Sequence, residues 1–248
     1  MRQLLGHLRY ILILLVITFP SITYSVDQAS SKLNGEIRDL LNTLFTDNAN
    51  YVAELTHMDF VSFREQQSPR ATVVACSDSR IQSSAIHKSP VNDLFIIRNM
   101  GNQIPTTEGT VEYGINHLHT PVLLIIGHSY CGAIITALGD YRKESSAIRK
   151  ELDHLHLKHG MNINEGVVTN VNNQVNYALR KFKDKIKNHE LVVVGTVYDF
   201  RDDFGHGHGR LILTNFNGET DPAKIRDHDL VKGFDHIPIG IKEKAPAP

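Results

Sequence analysis

The sequence lacks several features that would place it in other classes of protein. Its 248 residues carry 26 basic and 27 acidic side chains, so there is no positive excess that would favour binding to nucleic acid. The apolar run 10–19 is far shorter than the roughly 20 residues that cross a bilayer. Internal repeats are absent, which excludes a solenoid or a propeller. Tryptophan is absent as well.

The N-terminal segment has the pattern of a targeting sequence. Arg2 and Arg9 precede the apolar run, and a more polar stretch follows as far as Ser25. This order predicts a signal peptide over 1–25 that is removed after Ser25, with cleavage after Thr23 and an uncleaved anchor as the alternatives. The mature chain would then lie in the periplasm with no stable membrane insertion. It would hold 24 basic and 27 acidic residues, a net charge of −3.

The remaining chain alternates between strand and helix patterns. Four short apolar runs without polar alternation predict parallel strands buried on both faces, at 72–75, 94–97, 122–126 and 191–194. Helical spacing covers 33–58, 108–117, 133–138 and 163–186. Segments 197–200 and 210–213 flank a glycine-rich loop and predict an edge strand. We therefore expect an α/β fold, in which helices flank a mostly parallel sheet of four core strands plus an edge strand. This fold would form one domain over 26–240, followed by a disordered tail over 241–248.

The two cysteines would ordinarily suggest a disulfide in an exported protein. Their positions suggest a different role, because Cys76 directly follows the first predicted strand and His128 and Cys131 directly follow the third. Carboxyl ends of parallel strands are where ligands gather. Two thiolates and an imidazole suit zinc, and three protein ligands leave a fourth position open for catalysis. The alternative for Cys76 is a small buried apolar residue.

A second pair of histidines, His206 and His208, lies in the glycine-rich loop 201–209. Their spacing is compatible with a metal, but no third ligand accompanies them. We interpret this segment as a turn.

The residues around the cysteines resemble the β-class carbonic anhydrase family. The resemblance rests on the run Cys76-Ser77-Asp78-Ser79-Arg80, the His-x-x-Cys pair, Gln67-Ser68-Pro69, Arg98-Asn99 and Glu112-Tyr113, and it extends over about residues 33–235. It implies that Cys76, His128 and Cys131 hold Zn²⁺ and that a zinc-bound hydroxide converts CO₂ reversibly to bicarbonate and a proton. Asp78 would orient that hydroxide, and Arg80 would keep Asp78 ionised.

The resemblance also implies a homodimer or a higher homo-oligomer. In the family, N-terminal helices pack on a partner subunit, and Gln67 reaches the partner's site as a donor to a substrate oxygen. Phe95, Met100 and Tyr113 match positions that line the apolar CO₂ pocket, although Met100 replaces the usual valine.

One departure bears on the family's subtypes. The bicarbonate-inhibited subgroup has a tryptophan three residues before the first ligand, and this chain has Val73 there. Arg98 and Tyr198 match the two other positions of that inhibitory site. We therefore favour the plant-like open subtype, with water on the metal at neutral pH.

Two rival functions stay open at this point. A carbon disulfide or carbonyl sulfide hydrolase would share the same metal motifs and differ in access to the pocket. A non-enzymatic periplasmic zinc or thiol-redox protein would use Cys76 and Cys131 as a reversible disulfide, but it would have no need of Asp78, Arg80 or Gln67.

Overall fold

A computed structural model describes residues 22–61 and 63–242. Most of the predicted signal peptide 1–25 and most of the predicted tail 241–248 lie outside this range. The chain divides into two compact units, residues 1–62 and 63–248.

The first unit is helical where it is described. It contains α1 (Ile22–Ala53) and α2 (His57–Val61), which confirms the helical spacing predicted over 33–58. The side chains of α1 described from residue 31 onward are exposed, and the large apolar ones include Leu33, Ile37, Leu40, Leu41, Leu44 and Phe45. Among the described helices, none combines the length and apolarity needed to cross a membrane.

The second unit is built on a five-stranded sheet with the order β2-β1-β3-β4-β5. The strands are β1 (Ala71–Cys76), β2 (Leu94–Asn99), β3 (Val122–His128), β4 (Val192–Asp199) and β5 (Arg210–Phe216). The first four are parallel and β5 is antiparallel to β4, which confirms the predicted fold class. Consecutive residues Val73 and Val74 point to opposite faces and both are fully buried, so helices and loops cover both faces of β1.

One strand boundary was predicted wrongly. Segments 191–194 and 197–200 fall largely within a single strand, β4, which continues through an irregularity in its pairing with β5 at Gly195 and Thr196. The glycine interrupts the apolar run in the sequence, but the backbone pairing with β3 is continuous across it.

Helices connect the strands. They are α3 (Ser83–Ile86), α4 (Glu108–Glu112) between a 3₁₀ turn (Pro105–Thr107) and a π-helical turn (Tyr113–His117), α5 (Gly132–Leu138), α6 (Ser146–Asp153), α7 (Ile163–Lys181), α8 (Lys183–Lys187) and α9 (Pro222–Asp227). The prediction of a single helix over 163–186 is wrong, because the helical segment is interrupted at Phe182. This residue leaves helical geometry, with φ −109° and ψ 27°, and its ring is buried in the core.

Two of the helices that the sequence interpretation missed, α6 and α9, carry capping signals. The Ser145 side chain accepts a hydrogen bond from Ile148 N at the start of α6, and Asp221 caps α9 just before Pro222. Serine or aspartate before a helix, and proline at its first position, are ordinary start signals. Both helices are short, with 8 and 6 residues, and contain few apolar side chains, so they were easily missed.

Candidate metal centre

The carboxyl ends of β1 and β3 bring three metal-binding side chains together. Cys76 ends β1, His128 ends the neighbouring strand β3, and Cys131 is the residue before α5. Their ligand atoms all lie within 4.8 Å of one another, and the two sulfur atoms are 4.0 Å apart. The three residues are 5%, 0% and 1% exposed. Within the described residues, this is the one group of three or more such side chains arranged to hold an ion.

The hydrogen bonding of His128 leaves one ring nitrogen ready for a ligand bond. Its Nδ1 lies 3.0 Å from the Ser129 carbonyl oxygen, so Nδ1–H donates and the lone pair is on Nε2. This Nε2 is buried and has no hydrogen-bond partner among the described residues. An unpaired polar atom in a protein interior is costly, and a metal ion held by the cluster would remove that cost. Such a second bond through Nδ1 is typical of metal-binding histidines.

The pKa values of the two thiols are shifted in opposite directions. A hydrogen bond from the neighbouring Cys131 thiol lowers the pKa of Cys76, and the backbone N–H groups of Gly101 and Asp78 lower it further. The resulting thiolate raises the pKa of Cys131, and burial raises it further. A second thiolate 4.0 Å from the first therefore needs a compensating cation. Two thiolates and an imidazole are a donor set that suits Zn²⁺.

Asp78 places a charged carboxylate beside this cluster. Arg80 donates from Nε to Oδ1 at 2.8 Å and from Nη2 to Oδ2 at 2.6 Å, and its backbone N–H donates to Oδ1 at 3.0 Å. The Arg80 side chain lowers the pKa of Asp78 to about 2. Asp78 Oδ2 lies 3.8 Å from His128 Nε2, which is beyond hydrogen-bond distance but places the carboxylate at the edge of the cluster.

Arg80 is held by two groups that the sequence interpretation missed. Its Nη2 also donates to the Tyr130 carbonyl oxygen at 3.2 Å, and its guanidinium carbon lies 4.6 Å from the centre of the Phe200 ring. The Phe200 ring is also stacked near His128, with centroids 6.1 Å apart. Phe200 directly follows the carboxyl end of β4, so the rule that ligands gather at strand ends could have identified it.

Two of the residues predicted to line the CO₂ pocket, Phe95 and Tyr113, lie away from the metal cluster of their own chain. The rings of Phe95 and Tyr113 contact each other with centroids 5.9 Å apart. Phe95 pairs with Thr72 in the sheet, four residues before Cys76 along β1, which places it about 13 Å from the cluster's end of the strand. Within one chain, these two rings and the metal cluster therefore occupy opposite ends of the sheet.

The two other predicted substrate-binding residues lie nearer the strand ends. Met100 follows the carboxyl end of β2 and packs, half-buried, against the main core. Gln67 is exposed on the segment that leads into β1.

The histidines of the glycine-rich loop belong to a hydrogen-bonded turn. His206 Nε2 lies 2.9 Å from the Gly240 carbonyl oxygen, and His208 Nδ1 lies 3.2 Å from that of Phe200. The buried Asp199 carboxylate accepts hydrogen bonds from backbone N–H groups in the same loop. This geometry agrees with the interpretation of a turn.

Comparison with known proteins identifies the relatives of this fold and site. The family model described as Carbonic anhydrase matches residues 71–206, more than half of the chain. A carbonic anhydrase of Synechococcus elongatus is 41% identical over 87 residues, which cover 32% of this chain and 32% of the relative. The match thus spans about a third of the length of that relative.

Solved structures show the same fold. The β-carbonic anhydrase CcaA is 24% identical with a TM-score of 0.62, and the match covers 73% of this chain and 88% of that one. A tetrameric β-carbonic anhydrase of Sordaria macrospora is 22% identical with a TM-score of 0.60, over 71% of this chain and 96% of that one. Because the family model covers all three members of the metal cluster and the fold agrees, this chain belongs to the β-class carbonic anhydrase family.

Proposed function

We propose that this protein catalyses the reversible hydration of CO₂ to bicarbonate and a proton with zinc at Cys76, His128 and Cys131. The observation that carries the proposal is a buried three-ligand cluster next to a carboxylate that is ionised at neutral pH. Zinc at this position would act as a Lewis acid and supply a water-derived nucleophile near neutral pH.

Asp78 then serves as the acceptor that orients the attacking water. An ionised carboxylate can only accept hydrogen bonds, so a water between Asp78 and the ligand set must point a proton at it and a lone pair away from it. Arg80 occupies both oxygens of Asp78 and thereby holds it in one orientation. The Phe200 ring limits the movement of Arg80 in turn.

We assign the chain to the open subtype, in which Asp78 does not enter the metal's coordination. The bidentate pair with Arg80 supports this, because Asp78 would have to leave two charge-assisted hydrogen bonds to reach the metal. Val73 in place of tryptophan supports it too, since one of the three partners for inhibitory bicarbonate is missing.

We also propose that a second copy of the chain completes the site. Gln67 is exposed, and Phe95 and Tyr113 lie at the end of the sheet away from their own cluster, so these groups can serve a partner's site better than their own. The exposed apolar residues of α1 provide a surface on which such a partner can pack. The tetrameric assembly of the Sordaria relative agrees with an oligomer.

Export to the periplasm completes the proposal. It rests on the basic, apolar and polar succession over residues 1–25. In cell fractions, the protein should appear in the periplasm as a shortened chain, and deletion of residues 2–25 should retain it in the cytoplasm at full activity. Recovery of the intact, uncleaved chain from the membrane fraction would refute cleavage.

The decisive experiment combines metal analysis with a stopped-flow CO₂ hydration assay on the purified mature chain. About one zinc per chain and fast hydration are expected, and Cys131→Ser should lose both. Carbon disulfide and carbonyl sulfide are assayed in parallel to test the rival hydrolase. Zinc binding without turnover of any of the three substrates would favour a non-enzymatic protein.

A further inference from the structure

Arg98 bonds the backbone on both sides of the first turn after β1. It lies on β2 opposite Ala75, and its side chain reaches past the end of β1. Nε donates to the Cys76 carbonyl oxygen at 3.0 Å, and Nη2 donates to the Asp78 carbonyl oxygen at 2.7 Å. Nη1 lies 3.4 Å from Gln82 Oε1. One guanidinium thus links a residue that binds the metal to the residue that orients the water.

The backbone at this point has little other support from the sheet. Pairing between β1 and β2 ends at Cys76 and Asn99, with one further bond from Ser77 N to the Asn99 carbonyl oxygen at 2.8 Å. The chain then turns away from the strand, and the spacing between the Cys76 sulfur and the Asp78 carboxylate depends on the conformation of that turn. The planar fork of Arg98 spans its two carbonyl groups.

We propose that Arg98 is a positioning residue that sets the distance between the Cys76 sulfur and the Asp78 carboxylate. It acts through the two backbone carbonyl groups and touches neither the metal nor the substrate. The proposal deepens the proposed function and rests on it for its catalytic part, whereas its effect on metal binding is independent of the reaction catalysed. Displacements of about 1 Å at a reacting centre can cost about 10²-fold in rate.

Arginine is required here for its shape as well as its charge. A lysine at position 98 keeps one positive charge but offers a single ammonium group, which cannot hold two carbonyl oxygens in a fixed relation. Arg98→Lys therefore removes the forked pair of donors while it keeps the positive charge. Arg98→Ala removes both and creates space in which a free guanidinium ion can bind.

Arg70 provides a control at the start of the same two strands, since it directly precedes β1 and its partner Asp93 directly precedes β2. At the opposite end of β1 it donates from Nε and Nη2 to the two oxygens of Asp93, at 2.5 Å and 2.8 Å. Arg70→Lys therefore weakens a comparable link between the two strands, far from the metal cluster. Any effect common to both lysine variants is a general effect on the sheet.

The experiment measures three quantities on the full mature chain: zinc affinity by competition with a chelator, kcat and KM for CO₂ hydration, and the thermal midpoint. For Arg98→Lys we expect zinc binding to weaken by about 10-fold or more and kcat to fall by about 10–100-fold with little change in KM. Millimolar guanidinium should restore part of kcat to Arg98→Ala. Arg70→Lys should change neither affinity nor kcat by more than about twofold.

Two results would overturn the proposal. One is an Arg98→Lys protein whose zinc affinity and kcat match those of Arg70→Lys. The other is a loss that guanidinium does not relieve and that parallels the fall in thermal midpoint, which would make Arg98 a purely stabilising residue. If the unsubstituted protein binds zinc but does not hydrate CO₂, the proposed function fails, while weaker zinc binding by Arg98→Lys still supports the positioning role.

Discussion

At the scale of single residues, ionisation and hydrogen bonding decide what the metal centre can do. The pKa of Asp78 is about 2 because Arg80 bonds both of its oxygens, so the carboxylate is charged throughout the neutral pH range. His128 directs its free nitrogen into the cluster because its other nitrogen bonds Ser129. His128 and Asp78 are thus each held by a neighbouring residue, Ser129 and Arg80 respectively.

The role of Asp78 can be tested with a neutral isostere. Asp78→Asn should retain zinc, because no ligand is altered, but kcat should fall by about 10²–10⁴-fold since the amide can donate and no longer dictates the orientation of the water. Asp140→Asn is the control, because Asp140 forms the same bidentate pair with Arg142 on the surface, at 2.8 Å and 2.7 Å. Comparable kcat values for the two variants would show that Asp78 is a bystander.

The two thiols predict how the protein responds to metal removal. Without zinc, the lowered pKa of Cys76 makes it a thiolate at neutral pH, 4.0 Å from the Cys131 sulfur. Oxidised glutathione should then be attacked by Cys76 to form a mixed disulfide and release one glutathione. Cys131 should displace the second glutathione and leave a Cys76–Cys131 disulfide.

Mass spectrometry of chelator-treated and zinc-loaded samples checks this. Only the treated sample should lose two hydrogens and then fail to rebind zinc. A disulfide in active, zinc-loaded protein would contradict the ligand set.

At the scale of elements, close approach between α7 and the sheet depends on missing side chains. Gly195 lies in β4 beneath α7, and a Cβ atom there would meet Val171 Cγ1 at 2.8 Å and Asn215 Cβ at 3.0 Å. Both distances are shorter than ordinary contacts, and these neighbours belong to packed elements. The packing of α7 against β4 therefore explains why position 195 is a glycine. This glycine interrupts the apolar run of β4 in the sequence.

This packing predicts opposite effects for two glycine substitutions. Gly195→Ala should lower the free energy of unfolding by about 1–3 kcal/mol, because α7 or β5 must shift. Gly109→Ala in α4 meets no atom within 4 Å and should raise it by about 0.4–1 kcal/mol, because alanine restricts the unfolded chain. Urea unfolding followed by circular dichroism measures both values. Equal effects of the two substitutions would show that the close contacts at Gly195 do not matter.

At the scale of the whole molecule, a single chain leaves parts of the proposed function unassembled. The Phe95 and Tyr113 rings and the metal cluster lie at opposite ends of the sheet, and the large apolar side chains of α1 are exposed to solvent. Exposed apolar patches of this kind usually mark an interface. A second copy of the chain would account for both observations.

Charge placed on α1 should therefore separate the subunits. Leu40 and Leu44 are 58% and 56% exposed and lie one turn apart. Replacing both with glutamate should convert an oligomer into single chains in analytical ultracentrifugation and lower activity, because Gln67 no longer reaches a partner. Asn42→Glu on the same helix is the control for added charge. An unsubstituted protein that sediments as a single chain would contradict the proposal.

The elements and the identities of the cluster residues could be predicted from the sequence because their signals are local. Apolar runs without polar alternation indicated the parallel strands, and the strand ends marked Cys76, His128 and Cys131. The predicted boundaries of helices and strands were wrong where tertiary packing overrode the local pattern. At Phe182 a buried ring interrupts a continuous helical period, and at Gly195 a helix lies too close for any side chain.

What the sequence determined by itself is the α/β class and the types of donor available, since both follow from residue chemistry and periodicity. Only the tertiary structure decided which groups surround those donors. The fork of Arg98 across two carbonyl groups, the Phe200 ring over Arg80 and the distance between Phe95 and the cluster join residues that lie far apart in the chain. Such distances depend on strand order, register and side-chain conformation, and no local pattern in a sequence encodes them.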